Sequence, residues 1–317
     1  MSKTGHLVDP EIHAMLEMPA LDLTHETLEE IRSNPLFSSV NLPSPPFPVS
    51  EAFAPSEHGP DVRLVVMNPP RDSAREKTGR GAILHIHGGG MVVGTADLAT
   101  VTKCPLALEH DCVVVSVDYR LAPETPFPGP QEDSYAALLW LAAHASELGV
   151  DPARIVVMGE SAGGGLAASL AQMTRDRGGP RLAGQVLVYP MLDWRTGGPE
   201  CPHNNRHTGE WIWTRDKNRF GWEAVRGDYS PTDDRKGWFS PALADDLSGL
   251  APAYIVTGAL DLFLDEDLAY ARRLIDAGVP CELHVYPGAI HAFEMVPETT
   301  LAAQGATGLA ARAGAFA

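Results

Sequence analysis

The chain has 317 residues, room for one large α/β domain or two smaller ones. Its 44 % apolar and 21 % charged residues are the ordinary balance of a soluble globular protein. A formal charge of −17 and an isoelectric point near 5.0 argue against nucleic acid and anionic membrane as partners, because phosphate binding needs clustered Lys and Arg. Cys104, Cys112, Cys201 and Cys281 form no C-x-x-C pair and no metal-ligand spacing, so reduced thiols and no metal are expected. The N-terminal stretch has no apolar signal region, and no run of about 18 apolar residues occurs. The expected compartment is the cytoplasm.

In chain order, residues 9–33 read as helical, with Ile12, Met15, Leu16, Leu28 and Ile31 at helical spacing and Pro19 interrupting. A proline-rich connector at 42–48 follows, suggesting that residues 1–48 form a helical cap segment joined by a stiff linker. The remainder, 49–317, reads as the catalytic domain. Apolar runs at 62–67, 81–87, 112–118, 154–158, 185–189, 253–257 and 281–286 predict strands, several of them β-branched enough to be buried on both faces. Helices are expected between them at about 100–109, 132–148, 164–171 and 265–277, the last closed by Gly278. This alternation predicts an α/β fold with a mostly parallel, doubly wound sheet. Residues 194–239 break the alternation and hold five of the six tryptophans, which predicts a cap insertion over a pocket.

The chain's chemistry centres on Gly159-Glu160-Ser161-Ala162-Gly163, set between a strand-like and a helix-like run. That context makes a G-x-S-x-G a nucleophile elbow. The motif by itself arises by chance in roughly one chain in seven, so its partners must carry the assignment. A serine hydroxyl needs a base, and His291 lies in a loop just past the 281–286 strand, whereas His284 is committed inside that strand. Asp261 sits at the end of the preceding strand, and Asp265, Glu266 and Asp267 fit the first turn of a helix. The order Ser161, Asp261, His291 is that of elbow enzymes. Ala162 would give one oxyanion N–H, and the glycines after His87 would give the others, since glycine lets backbone approach substrate closely.

Four stretches together resemble one family: His87-Gly88-Gly89-Gly90, Tyr119 through Glu124, Gly159 through Gly164, and Asp261 through Glu266 with His291. They look like the hormone-sensitive-lipase-like bacterial carboxylesterases of the α/β-hydrolase superfamily. The resemblance covers about residues 60–295 and implies an α/β-hydrolase fold with an N-terminal helical cap. It implies ester hydrolysis through Ser161, Asp261 and His291, no cofactor, and oxyanion donors at Gly89, Gly90 and Ala162. It also implies a structural role for Arg120 and Glu124. The chain departs from the family pattern at Glu160, where Asp is commoner, and at Leu262 and Phe263, where Pro and Leu are common. Met91, Tyr189, Trp211, Trp213, Trp222 and Phe293 are candidate walls of the substrate pocket. The expected function is a serine carboxylesterase acting on short-to-medium acyl esters of small molecules. An amidase, lactonase or carbamate hydrolase would use the same triad, and a non-catalytic receptor would be expected to lack one of its members. An edge strand leaves room for a homodimer, which the sequence does not show.

Overall fold

The apolar runs become an eight-stranded sheet in a computed structural model that describes residues 2–19, 21–71, 79–230, 232–296 and 299. The part of the expected catalytic domain beyond residue 299 lies outside the described residues. The strands are β1 (Ser50–Ala54), β2 (Val62–Met67), β3 (Arg80–Ile86), β4 (Val113–Val117), β5 (Val150–Glu160), β6 (Gly184–Val188), β7 (Ala253–Gly258) and β8 (Cys281–Tyr286). They lie in the order β1-β2-β4-β3-β5-β6-β7-β8. β1 and β2 pair antiparallel, as do β2 and β4, and every pairing from β4 to β8 is parallel. Alternation within β4 feeds two cores: Val113, Val115 and Val117 join one face, and Val114 joins the other. Both faces of a parallel sheet are covered, which is why such strands read as unbroken apolar runs.

The helices are α1 (Leu28–Arg32), α2 (Ala99–His110), α3 (Gly129–Ala143), α4 (Ala162–Arg177), α5 (Arg215–Arg226), α6 (Lys236–Phe239) and α7 (Leu264–Asp276). α3, α4 and α7 pack on one face of the sheet. α2 covers the other, together with Ile12 and Met15 of the N-terminal segment. Among the described residues no helix is long and apolar enough to cross a membrane.

Three local differences from the sequence reading have physical causes. β1 has only Phe53 as a strong strand former, and it exists because it pairs with β2 along Ser50–Ala54. Tertiary pairing there overrides propensity. The N-terminal helical stretch is much shorter than expected: a 3-10 turn at Pro10–Glu17, then α1 with five residues. Between them the Thr27 hydroxyl donates to the Asp22 carbonyl and accepts from the Thr24 N–H at 3.0 Å, side-chain bonds that compete with helix. α3 begins earlier than expected, at Gly129 with Pro130 in its first turn, and ends at Ala143 well before Gly149.

α4 follows β5 with only Ser161 between them, and its first turn presses on the end of β3. An ideal Cβ on Gly163 would lie 2.0 Å from the Ile86 carbonyl oxygen and 2.5 Å from that of His87. Both obstacles are backbone of a central strand and cannot swing aside. Gly163→Ala is therefore expected to cost about 3 kcal/mol or more of folding stability, read from the urea midpoint of purified protein.

Candidate active site

The elbow is built by close approach. Ser161 has φ +56° and ψ −120°, in a region that costs a non-glycine residue about 1–3 kcal/mol. The surroundings hold it there. Its N–H donates to the Val188 carbonyl at 2.9 Å, and its carbonyl accepts from Gly165 at 3.0 Å and Met191 at 2.9 Å. A Cβ on Gly159 would lie 2.2 Å from the Gly163 carbonyl oxygen, so the turn closes only with glycine there.

Two loops bring the partners. The loop after β7 carries Asp261, and the loop after β8 carries His291. The Leu260 N–H donates to the Ala289 carbonyl at 2.9 Å, binding the two loops together. His291 Nε2 lies 3.0 Å from Ser161 Oγ, and His291 Nδ1 lies 2.7 Å from Asp261 Oδ2. The carboxylate fixes the imidazole proton on Nδ1 and leaves Nε2 free to accept from the serine hydroxyl. Asp261 is 1 % exposed, and its other oxygen accepts from the Phe263 N–H at 2.9 Å.

β3 delivers His87 and three glycines beside this group. Gly89 and Gly90 have φ of +113° and +63°, and the Gly89 carbonyl accepts from the N–H groups of Val92 and Val93 at 3.1 and 3.0 Å. A Cβ on Gly89 would lie 2.1 Å from the Val93 carbonyl oxygen. The Tyr119 hydroxyl donates to the His87 carbonyl at 3.0 Å, and the two rings stack at 4.2 Å. Burial pushes the His87 imidazole down to about 4, so it is neutral and its Nδ1–H donates to the Gly88 carbonyl at 2.8 Å. Among the described residues, no backbone carbonyl accepts from the N–H of Gly89, Gly90 or Ala162.

The candidate pocket residues divide. The Tyr189 and Trp213 rings lie 4.6 and 6.2 Å from the His291 imidazole. Phe293 packs against Tyr189 and Tyr286, and Met91 is buried with φ +63°. Trp222 meets Phe239 edge-on in the core, and the Trp211 indole N–H donates to the Thr4 hydroxyl at 3.1 Å. Phe263, one of the two departures from the family pattern beside Asp261, lies edge-on to His291 at 5.4 Å. Glu294, bonded through Oε1 to the Tyr189 hydroxyl, escaped the sequence reading. Arg120 pairs with the buried Asp133 at 2.7 Å, and Glu124 pairs with Arg32 of α1 at 2.8 Å.

Asp265, Glu266 and Asp267 stand in the first turn of α7 as expected, but the Glu266 side chain bonds outside that helix. It is 2 % exposed, and Oε1 accepts from the N–H groups of Leu192 and Asp193 at 2.6 and 3.2 Å. Burial, reinforced by Asp193, pushes its carboxyl well above the usual range. Burial does the same to Asp267 and raises Glu294. Among the described residues no three His, Cys, Asp or Glu side chains gather as metal ligands would.

A family model described as alpha/beta hydrolase fold matches residues 83–295. The chain belongs to the hormone-sensitive-lipase-like carboxylesterases of the α/β-hydrolase superfamily. It is 40 % identical over 234 residues to the carboxylesterase NlhH of Mycobacterium tuberculosis, covering 71 % of this chain and 70 % of that one. It is 38 % identical over 213 residues to the esterase LipI of the same organism, covering 67 % of this chain and 65 % of LipI, so the match spans about two thirds of that relative's length. The solved structure titled bacterial heroin esterase superposes with a TM-score of 0.89 at 36 % identity, over 98 % of both chains. Carboxylic ester hydrolysis is the chemistry of this family.

Within that frame, Glu160 joins the elbow to a buried ionic cluster. Lys103 of α2 lies 2.6 Å from Oε1, His85 Nε2 lies 2.8 Å from Oε2, and His85 Nδ1 lies 2.9 Å from the Ser116 hydroxyl. Burial alone would raise the Glu160 carboxyl, but Lys103 and His85 together outweigh it and hold the group well below the carboxylate range. Lys103→Met leaves that carboxylate buried without its cation and is expected to cost about 3–5 kcal/mol in denaturant unfolding. A depressed carboxyl stabilises the fold above its ordinary value of 4.5 and loses that contribution as pH falls. The wild-type advantage over Lys103→Met is therefore expected to shrink when unfolding is repeated below pH 4.5.

Proposed function

We propose that this chain, a carboxylic ester hydrolase by family, works through an acyl-enzyme on Ser161. His291 Nε2 takes the serine proton as Oγ attacks the ester carbonyl, and Asp261 stabilises the imidazolium that forms. The N–H groups of Gly89, Gly90 and Ala162 receive the developing oxyanion. His291 then gives its proton to the leaving alkoxide oxygen, and the alcohol departs. Water, deprotonated by the same imidazole, attacks the acyl-enzyme and releases the carboxylic acid and free Ser161. The observation that carries this reading is the continuous pair of hydrogen bonds on His291, at 3.0 Å to Ser161 and 2.7 Å to Asp261.

Ser161→Ala is expected to lower ester turnover at least about 1,000-fold with the fold retained. A labelled organophosphonate should bind once per wild-type chain and not bind the variant. Retained turnover in Ser161→Ala would overturn the assignment.

The acyl group is expected to be short to medium in length. Tyr189, Phe263 and Trp213 pack around the His291 ring at 4.6, 5.4 and 6.2 Å, apolar surroundings that suit an apolar acyl group better than a charged one. In a p-nitrophenyl ester series, acetyl through octanoyl esters should be turned over, and the palmitoyl ester should have kcat/KM lower by at least about tenfold. A maximum at palmitoyl would reject this preference.

A further inference from the structure

The cap meets the glycine loop on two sides. A Cβ on Gly221 of α5 would lie 2.9 Å from the Gly90 carbonyl oxygen, and a Cβ on Gly90 would lie 2.3 Å from Cη2 of Trp213. The backbone at Gly90 is thus in contact with both α5 and an indole ring. Glycine inside a helix weakens it, so residue 221 needs a packing reason, and the Gly90 carbonyl supplies one. The indole is itself fixed. Its Nε1–H donates to Asn218 Oδ1 at 3.1 Å, and the fully buried Asn218 donates through Nδ2 to the Thr196 carbonyl at 2.7 Å. The Thr196 hydroxyl donates to Oε2 of Glu266, and the other Glu266 oxygen holds the chain at Leu192 and Asp193. A polar chain therefore runs from α7, the helix that follows Asp261, through the cap to the ring lying on Gly90.

We propose that Trp213, Asn218 and Gly221 are positioning residues that brace the glycine loop, so that the Gly89 and Gly90 N–H groups stay aimed at the oxyanion. This rests on the oxyanion role given to those glycines above. Oxyanion donors accelerate the reaction only when oriented beforehand, and two successive glycines at positive φ have many other conformations open to them. Support from outside the loop is what narrows them.

The test uses Gly221→Ala, which pushes on the Gly90 carbonyl, and Trp213→Phe, whose shorter ring lacks the N–H. Asn218→Leu, similar in size but without either hydrogen bond, is the third variant. For each, kcat and KM on a short ester are measured with the affinity for a trifluoromethyl ketone, whose serine adduct places an oxyanion in the loop. Circular dichroism checks the fold. The expected result is a kcat at least about tenfold lower, KM within about twofold of wild type, and inhibitor binding weakened in step with kcat/KM. Folded Gly221→Ala and Trp213→Phe proteins with wild-type kcat and inhibitor affinity would overturn the proposal. An altered acyl-length profile with unaltered inhibitor affinity would overturn it too, leaving Trp213 as a pocket wall. Should Asn218→Leu fail to fold, the other two variants decide. Organophosphonate stoichiometry separates the two readings. One label per wild-type chain at Ser161 upholds the acyl-enzyme reading whatever the variants do, and its absence removes both.

Discussion

The first turn of α4 reaches the end of β3 only because Gly163 has no side chain, and the whole site depends on that approach. It brings the elbow alongside the strand end that carries His87 and the glycine loop. The same closeness forces Ser161 to positive φ, and backbone bonds from Val188, Gly165 and Met191 hold it there. Strain at one residue is thus offset by hydrogen bonds and packing spread over three elements. A serine held this way has little orientation freedom left to lose.

Around that turn the polar groups are handled in two ways. Ser161, His291 and Asp261 line up in one hydrogen-bonded row, and Asp261 is satisfied by His291 and by the Phe263 amide. Behind the serine, Lys103, Glu160, His85 and Ser116 tie α2, β5, β3 and β4 together. Such buried ion pairs add little net stability over an apolar core, but a missing partner is costly, so the cluster fixes one arrangement of the strand ends. Aromatic rings from the two connections that follow β6 and β7 then surround His291 with apolar groups.

Much of this was legible from residue order. Seven of the eight strands were expected near their observed places; the inner ones read as unbroken apolar runs because strands buried on both faces must be apolar throughout, while β8, at the far edge, is only half-buried. β1 was not expected, since an exposed edge strand paired on one side needs no such signature. Ser161, Asp261 and His291 were each identifiable because each lies just past the C-terminal end of a strand, where a parallel sheet gathers its loops. The roles of the tryptophans were not legible. Trp213 meets Gly90, Trp222 meets Phe239 and Trp211 meets Thr4, three different surroundings for residues within twelve positions of one another. Glu266 was equally opaque: a carboxylate in a first helical turn looks alike whether it faces water or the N–H groups of Leu192 and Asp193.

The sequence by itself determined the sheet, the turn at Ser161 and the placing of Ser161, Asp261 and His291 just past strand ends, because strand burial and tight turns impose residue types locally. Tertiary structure alone decided which insertion side chains reach the glycine loop, how Glu160 is neutralised and why Gly221 stands inside a helix. Those depend on approaches between segments about 57 to 131 residues apart, such as Lys103 to Glu160 and Gly221 to Gly90, where several residue types fit the local backbone and only the neighbour across the gap selects among them.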